Sequence, residues 1–98
     1  MGDPITLTEA DQVRLAPGVA LREDRVRAQW QLLAPERVLM LDDISLAVVR
    51  QVKQPDTSIG AAIDQLAMEY GAPRGEIAGD VIELLVDMLA KGFLVKAR

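Results

Sequence analysis

The apolar positions of this chain change period near residue 42, from every second residue to every third or fourth. Before that point, Leu15, Val19 and Leu21 flank Pro17-Gly18, a turn-forming pair. The run from Val26 to Leu32 alternates apolar and polar, which predicts a strand with Val26, Ala28, Trp30 and Leu32 on one face. Ala34-Pro35-Glu36 interrupts it, and Arg37-Val38-Leu39-Met40-Leu41 predicts a further short strand. Two or three short antiparallel strands fit residues 13–41. Beyond them the spacing predicts three helices. Asp42 or Asp43 is placed to cap the first, with Ile44, Ala47, Val48 and Val52 on one stripe and Pro55 after its end. Asp56, Thr57 or Ser58 caps the second, and Gly71 stops it. Pro73 suits the first turn of the third, which runs to about Lys91 before Gly92. Phe93-Leu94-Val95 is expected to dock back on the core as a short extended end. The predicted class is α+β, with strands first and three helices after, an order like that of winged helix-turn-helix domains. Residues 1–12 hold three acids and no clear period, and read as a flexible tail before one domain at 13–98. The alternative is a tail tied down as an edge strand through Ile5 and Leu7.

The third helix is the most informative element. At about 100° per residue, Ile77, Val81, Leu84, Leu85, Met88 and Leu89 form a stripe that Ile82 and Val86 widen. Such an arc is broader than packing against one neighbour requires. It fits a helix central to its own core, or one whose edge lines a groove for a partner. Gly75, Ala78 and Gly79 keep the Ile82 side shallow, for a second backbone or for close packing on the sheet. Glu76, Glu83 and Asp87 fall on the opposite face, with Asp80 at its border. They read as a solvated face or as a docking face for a basic partner. In a small sheet the strand 37–41 is also an edge candidate, with unpaired N–H and C=O groups. An extended peptide can add to such an edge and drop alternate side chains into an adjoining groove.

Composition narrows the chemistry. The chain has no cysteine and no histidine, which removes disulfides, thiol nucleophiles, Cys-His metal sites and histidine acid–base catalysis. No metal or cofactor is expected, and no enzymatic activity. Net charge is −4, which disfavours phosphate-driven nucleic-acid binding. No run approaches the roughly 20 apolar residues of a membrane helix, and no signal peptide is visible, so a cytoplasmic location is expected. Asp42-Asp43 reads as a helix cap, not a cation site. Asp43-Ile44-Ser45-Leu46 only loosely matches the Asp-Ser-Leu of carrier proteins, because Ile44 separates acid from hydroxyl. Arg22, Arg25, Arg27 and Arg37 are interleaved with Glu23, Asp24 and Glu36, which suggests a mixed surface on the sheet.

Residues Leu32-Leu33-Ala34-Pro35-Glu36-Arg37-Val38-Leu39-Met40-Leu41-Asp42 resemble the central signature of the PqqD family. Pro17-Gly18 with Leu21-Arg22 and Asp24 is similar to its first strands. Ile77-x-x-Asp80-Val81-x-x-Leu84-Leu85-x-x-Met88-Leu89-x-x-Gly92 is similar to its third helix. The resemblance covers about residues 13–95. It departs where the family carries Asp-Gly after the first helix, since Lys53-Gln54-Pro55-Asp56 stands there. The resemblance implies a chaperone for the ribosomal precursor peptide PqqA. It would present that peptide to the radical S-adenosylmethionine enzyme PqqE, which cross-links a glutamate to a tyrosine in pyrroloquinoline quinone biosynthesis. It further implies a peptide site along Arg37, Val38, Leu39, Met40 and Leu41, beside Ile77, Asp80, Val81, Leu84, Leu85 and Met88 of the third helix. Two other functions fit the topology: a DNA-binding regulator, which the acids of the third helix oppose, and a homodimer without ligand, joined through the strand edge or tail.

Overall fold

A computed structural model describes residues 6–97. Four strands precede the helices and a fifth follows them: β1 (Gln12–Leu15), β2 (Ala20–Asp24), β3 (Gln29–Ala34), β4 (Arg37–Leu41), α1 (Asp43–Val52), α2 (Ile59–Tyr70), α3 (Arg74–Ala90) and β5 (Leu94–Ala97). β2, β3 and β4 form an antiparallel meander, while β1 pairs with β5 in a separate ribbon. The class is α+β, with the predicted order of strands and then helices. The closing segment does return to the core: Phe93 and Leu94 are buried, and β5 runs from there against β1.

One predicted strand is shorter than its pattern. Residues 25–28 are a turn, so β3 begins at Gln29 and Val26 is almost fully exposed. The Asp24 carboxylate accepts the N–H groups of Val26 and Arg27 at 3.1 and 3.3 Å, and Ala28 sits at φ 54°. That local side-chain turn competes with the ladder and wins. Trp30 and Leu32 keep the predicted common face.

The helices start and stop where local chemistry directs. Asp42 caps α1 by accepting the Ser45 N–H at 2.8 Å, and Ser58 caps α2 by accepting that of Ala61 at 3.1 Å. Gly71 ends α2 in the left-handed region at φ 58°, which favours glycine. The segment read as a tail makes specific contacts over the part described here. Ile59 and Gly60, whose N–H groups have no partner inside α2, donate to the carbonyls of Asp11 at 2.9 Å and Glu9 at 2.8 Å. Gly60 permits this approach, since a Cβ there would come within 3.1–3.2 Å of Glu9. Arg74 clamps the same segment through Glu9 and Asp64, and this holds the Glu9 carboxyl below the usual range. Gln12 belongs to β1, and Leu7 packs against the core. Ile5 lies outside the described residues.

One core joins all layers: Leu32 and Leu41 from the sheet, Val48, Val49 and Val52 from α1, Ile59, Ile63 and Leu66 from α2, and Val81, Leu85 and Met88 from α3. Of the small residues on α3, Ala78 packs against the core, whereas the glycines are not used for close packing, because a Cβ at Gly75 or Gly79 would meet no atom within 4 Å.

Candidate functional site

Among the described residues β4 is an edge strand, paired with β3 on one side only. Its register shows which backbone groups are free. Ala34 lies opposite Arg37, joined by the two-residue loop Pro35-Glu36. This pair must exchange hydrogen bonds, since the alternative pattern would require bonds between Pro35, which lacks an N–H, and its neighbour Glu36. Bonded and non-bonded pairs alternate along an antiparallel ladder. Arg37, Leu39 and Leu41 therefore turn their N–H and C=O toward β3, and Val38 and Met40 turn theirs outward. Among the described residues, no backbone hydrogen bond outside the ladder engages residues 37–41. The side chains alternate too: Leu41 is buried and Leu39 half-buried, whereas Val38 is 55% and Met40 37% exposed.

α3 runs beside this edge in the opposite direction. At one end, the Arg37 guanidinium donates to the carbonyl of Lys91 and lies 4.9 Å from the centre of the Phe93 ring. At the other, Asp42, Ile44 and Ser45 face Asp80, Glu83, Leu84 and Asp87 across a cleft of about 530 Å³. The lengths agree: five strand steps from Arg37 to Asp42 span about 17 Å, and eleven helical steps from Lys91 back to Asp80 about 16 Å. A smaller apolar hollow of about 70 Å³ continues past Ile44 and Asp80 to Tyr70 and Ile77.

The predicted site residues thus separate. Arg37 to Leu41, Asp80, Leu84 and Ile77 border the edge, the cleft or the hollow. Leu85 and Met88 are fully buried core residues, and Val81 reaches only the floor of the hollow. They support α3 from beneath. The helix wheel placed Glu83 and Asp87 on the face away from the groove, yet they form a wall of the cleft. Ile44, Ser45 and Tyr70 join the site unannounced, because nothing local in the sequence brings the start of α1 against α3.

The cleft is acidic with an apolar floor. The N–H of Ser45 holds the Asp42 carboxyl below the usual aspartate range, so it stays ionised at neutral pH. Asp87 pairs with Lys91 at 2.9 Å. Asp80 and Glu83 have no cationic partner among the described residues. Such a cleft suits a lysine or arginine that lays its aliphatic stem on Leu84 and Ile44 and its charge among the carboxylates. Among the described residues, no three acidic side chains converge to hold a metal ion, and no helix is long and apolar enough to cross a membrane.

Comparison with known proteins agrees on one family. The family model described as "Coenzyme PQQ synthesis protein D (PqqD)" matches residues 29–94. The chain is 46% identical over 94 residues to the PqqA binding protein of Rhodopseudomonas palustris (strain BisB5), covering 96% of this chain and 91% of that one. It is 43% identical over 89 residues to the PqqA binding protein of Xanthomonas oryzae pv. oryzae (strain KACC10331 / KXO85), covering 91% and 96%. The solution structure of the PqqD truncation of Methylobacterium extorquens PqqCD is described as a functional and stand-alone recognition element for ribosomally synthesized and post-translationally modified peptides. It superposes with a TM-score of 0.80 at 34% identity, over 94% of this chain and 97% of that one. The crystal structure of PqqD from Xanthomonas campestris gives 0.54 at 42% identity, over 88% and 94%. From its signature segment, its fold and these matches, the chain belongs to the PqqD family.

Proposed function

We propose that this chain binds the precursor peptide PqqA as an added strand on β4 and presents it to the enzyme PqqE. The observation that carries the reading is the open β4 edge beside the cleft on α3. Val38 and Met40 offer two N–H and two C=O groups, four backbone bonds worth together about 4 kcal/mol net. Ordering a disordered peptide costs about 2–5 kcal/mol, so edge pairing alone roughly breaks even. Micromolar affinity needs about 8 kcal/mol, which side chains must then supply. At about 25 cal/mol per Å², that is roughly 330 Å² of apolar burial. Val38, Met40, Ile44 and Leu84 are placed to provide part of it. The names of the relatives support PqqA as the ligand, and the recognition-element description supports a peptide in this role. Presentation to PqqE rests on the family resemblance.

Calorimetric titration of the full chain with PqqA tests the peptide reading. Saturable one-to-one binding that raises the melting temperature is expected. Absence of binding at high micromolar peptide, with the fold verified by circular dichroism, would overturn it.

A further inference from the structure

The far end of α1 carries a second cleft, of about 550 Å³, walled by Leu21 of β2, Trp30 of β3 and Arg50, Lys53, Gln54 and Pro55 at the helix end. We infer that it docks a partner protein presenting carboxylates beside an apolar side chain, and that it does so while the groove at β4 is occupied. The inference builds on the reading above that a bound peptide is handed to an enzyme.

Three observations carry it. Trp30 is the chain's single tryptophan, yet it stands at the surface outside the core cluster, half-buried under Arg50. The Arg50 guanidinium lies 4.7 Å from the indole ring centre, a stacked posture that leaves its N–H groups for a ligand. Tryptophan and arginine are the residues that dominate binding energy at interfaces. Next, neither Arg50 nor Lys53 has a carboxylate partner among the described residues, in a chain whose acids outnumber its bases. Arg14, Arg22 and Arg37 also lack an ion pair among the described residues, but Arg50 and Lys53 are the two such cations that line one cleft. Finally, α1 has ten residues and spans about 15 Å. The acidic cleft meets its first turn and this one its last, so an occupant of one leaves the other open.

The chemistry of the occupant follows from the lining. Arg50 takes a carboxylate through paired N–H donors, and Lys53 adds a point charge. Leu21, Trp30 and Pro55 receive an apolar neighbour. A concave recess takes projecting side chains better than it takes a flat lipid surface. Two cations are few for nucleic acid in a molecule of net charge −4.

The test uses the full chain and PqqE from the same organism, with PqqA binding followed in parallel. Arg50→Glu with Lys53→Glu is expected to weaken PqqE binding by about tenfold or more, with PqqA affinity held to about twofold. Should that variant melt early, Arg50→Gln with Lys53→Gln reads the same loss. Unchanged PqqE affinity in a folded variant overturns the inference alone. Wild-type chain that fails to bind PqqE sinks this inference and the presentation step together, but leaves peptide binding standing. Binding to phosphatidylserine vesicles that the variant loses while PqqE binding persists would reassign the surface to membranes. Loss of PqqA binding in the wild-type chain strikes the β4 groove instead.

Discussion

The two ends of α1 carry opposite surfaces. At its start, Asp42 and three α3 carboxylates surround Ile44 and Leu84; at its end, Arg50 and Lys53 surround Trp30. Both arrangements suit the helix dipole, which favours anions at the first turn and cations at the last. The dipole of α1 favours this polarity along its own axis, while the carboxylates gathered on α3 repel one another. Both clefts lie near an edge of the meander, since β2 and β4 are each paired with β3 alone among the described residues. What differs is the lining: the acidic cleft lies between the start of α1 and α3, directly after β4, whereas the basic cleft is walled by side chains of β2, β3 and the end of α1. An extended ligand on β4 meets α3 as well as free main-chain groups; at the basic cleft the cationic side chains lead.

The sharpest way to break this comparison is proline on β4. Met40→Pro removes an outward N–H and leaves the ladder to β3 intact. It is expected to weaken PqqA binding by about tenfold with little loss of stability, since proline is tolerated at edge positions. Leu39→Pro removes an inward N–H, leaves the Leu32 carbonyl without its partner, and should cost roughly 1–3 kcal/mol or more in denaturant unfolding. Equal effects of the two on stability would contradict the register argument.

A smaller effect separates Asp42's two roles. Asp42→Ala deletes the α1 cap and should cost about 1 kcal/mol. The folded carboxyl titrates below its unfolded value of about 3.9, because the Ser45 N–H stabilises the anion. Its contribution is therefore complete above roughly pH 4 and disappears as pH falls through the depressed folded value. Melting curves of wild type and Asp42→Ala should converge in acid, and a gap that widens there would refute the assignment.

The least effect concerns charge. Asp80→Asn with Glu83→Gln should lower PqqA affinity by about threefold at low ionic strength, with the difference vanishing at high salt. Isotherms across a salt series read this directly, and a loss independent of salt would mean that the side chains act by shape.

What could be read from the sequence follows the range of the forces involved. Caps and stops at Asp42, Ser58, Gly71 and Gly92 are local, and local residue types announce them. That short strands precede three helices was legible from period, and the strand 37–41 after Pro35-Glu36 as an edge candidate; the count was not, since four strands precede the helices where two or three were expected. The run Val26–Leu32 misled because perfect alternation hid a turn held by the Asp24 side chain. The acidic wall was missed for a different reason. A helix wheel separates apolar from polar faces, but only tertiary packing shows that Glu83 and Asp87 look across a cleft at α1. The pairing of β1 with β5 joins the two ends of the chain and leaves no local mark.

Amide hydrogen exchange, resolved by residue, tests the central claim most directly. In the free chain, the Val38 and Met40 amides should exchange quickly while those of Leu39 and Leu41, bonded to β3, are protected. PqqA should slow Val38 and Met40 selectively. Protection of those two amides without peptide, or PqqA binding that leaves them fast, would contradict strand addition at β4.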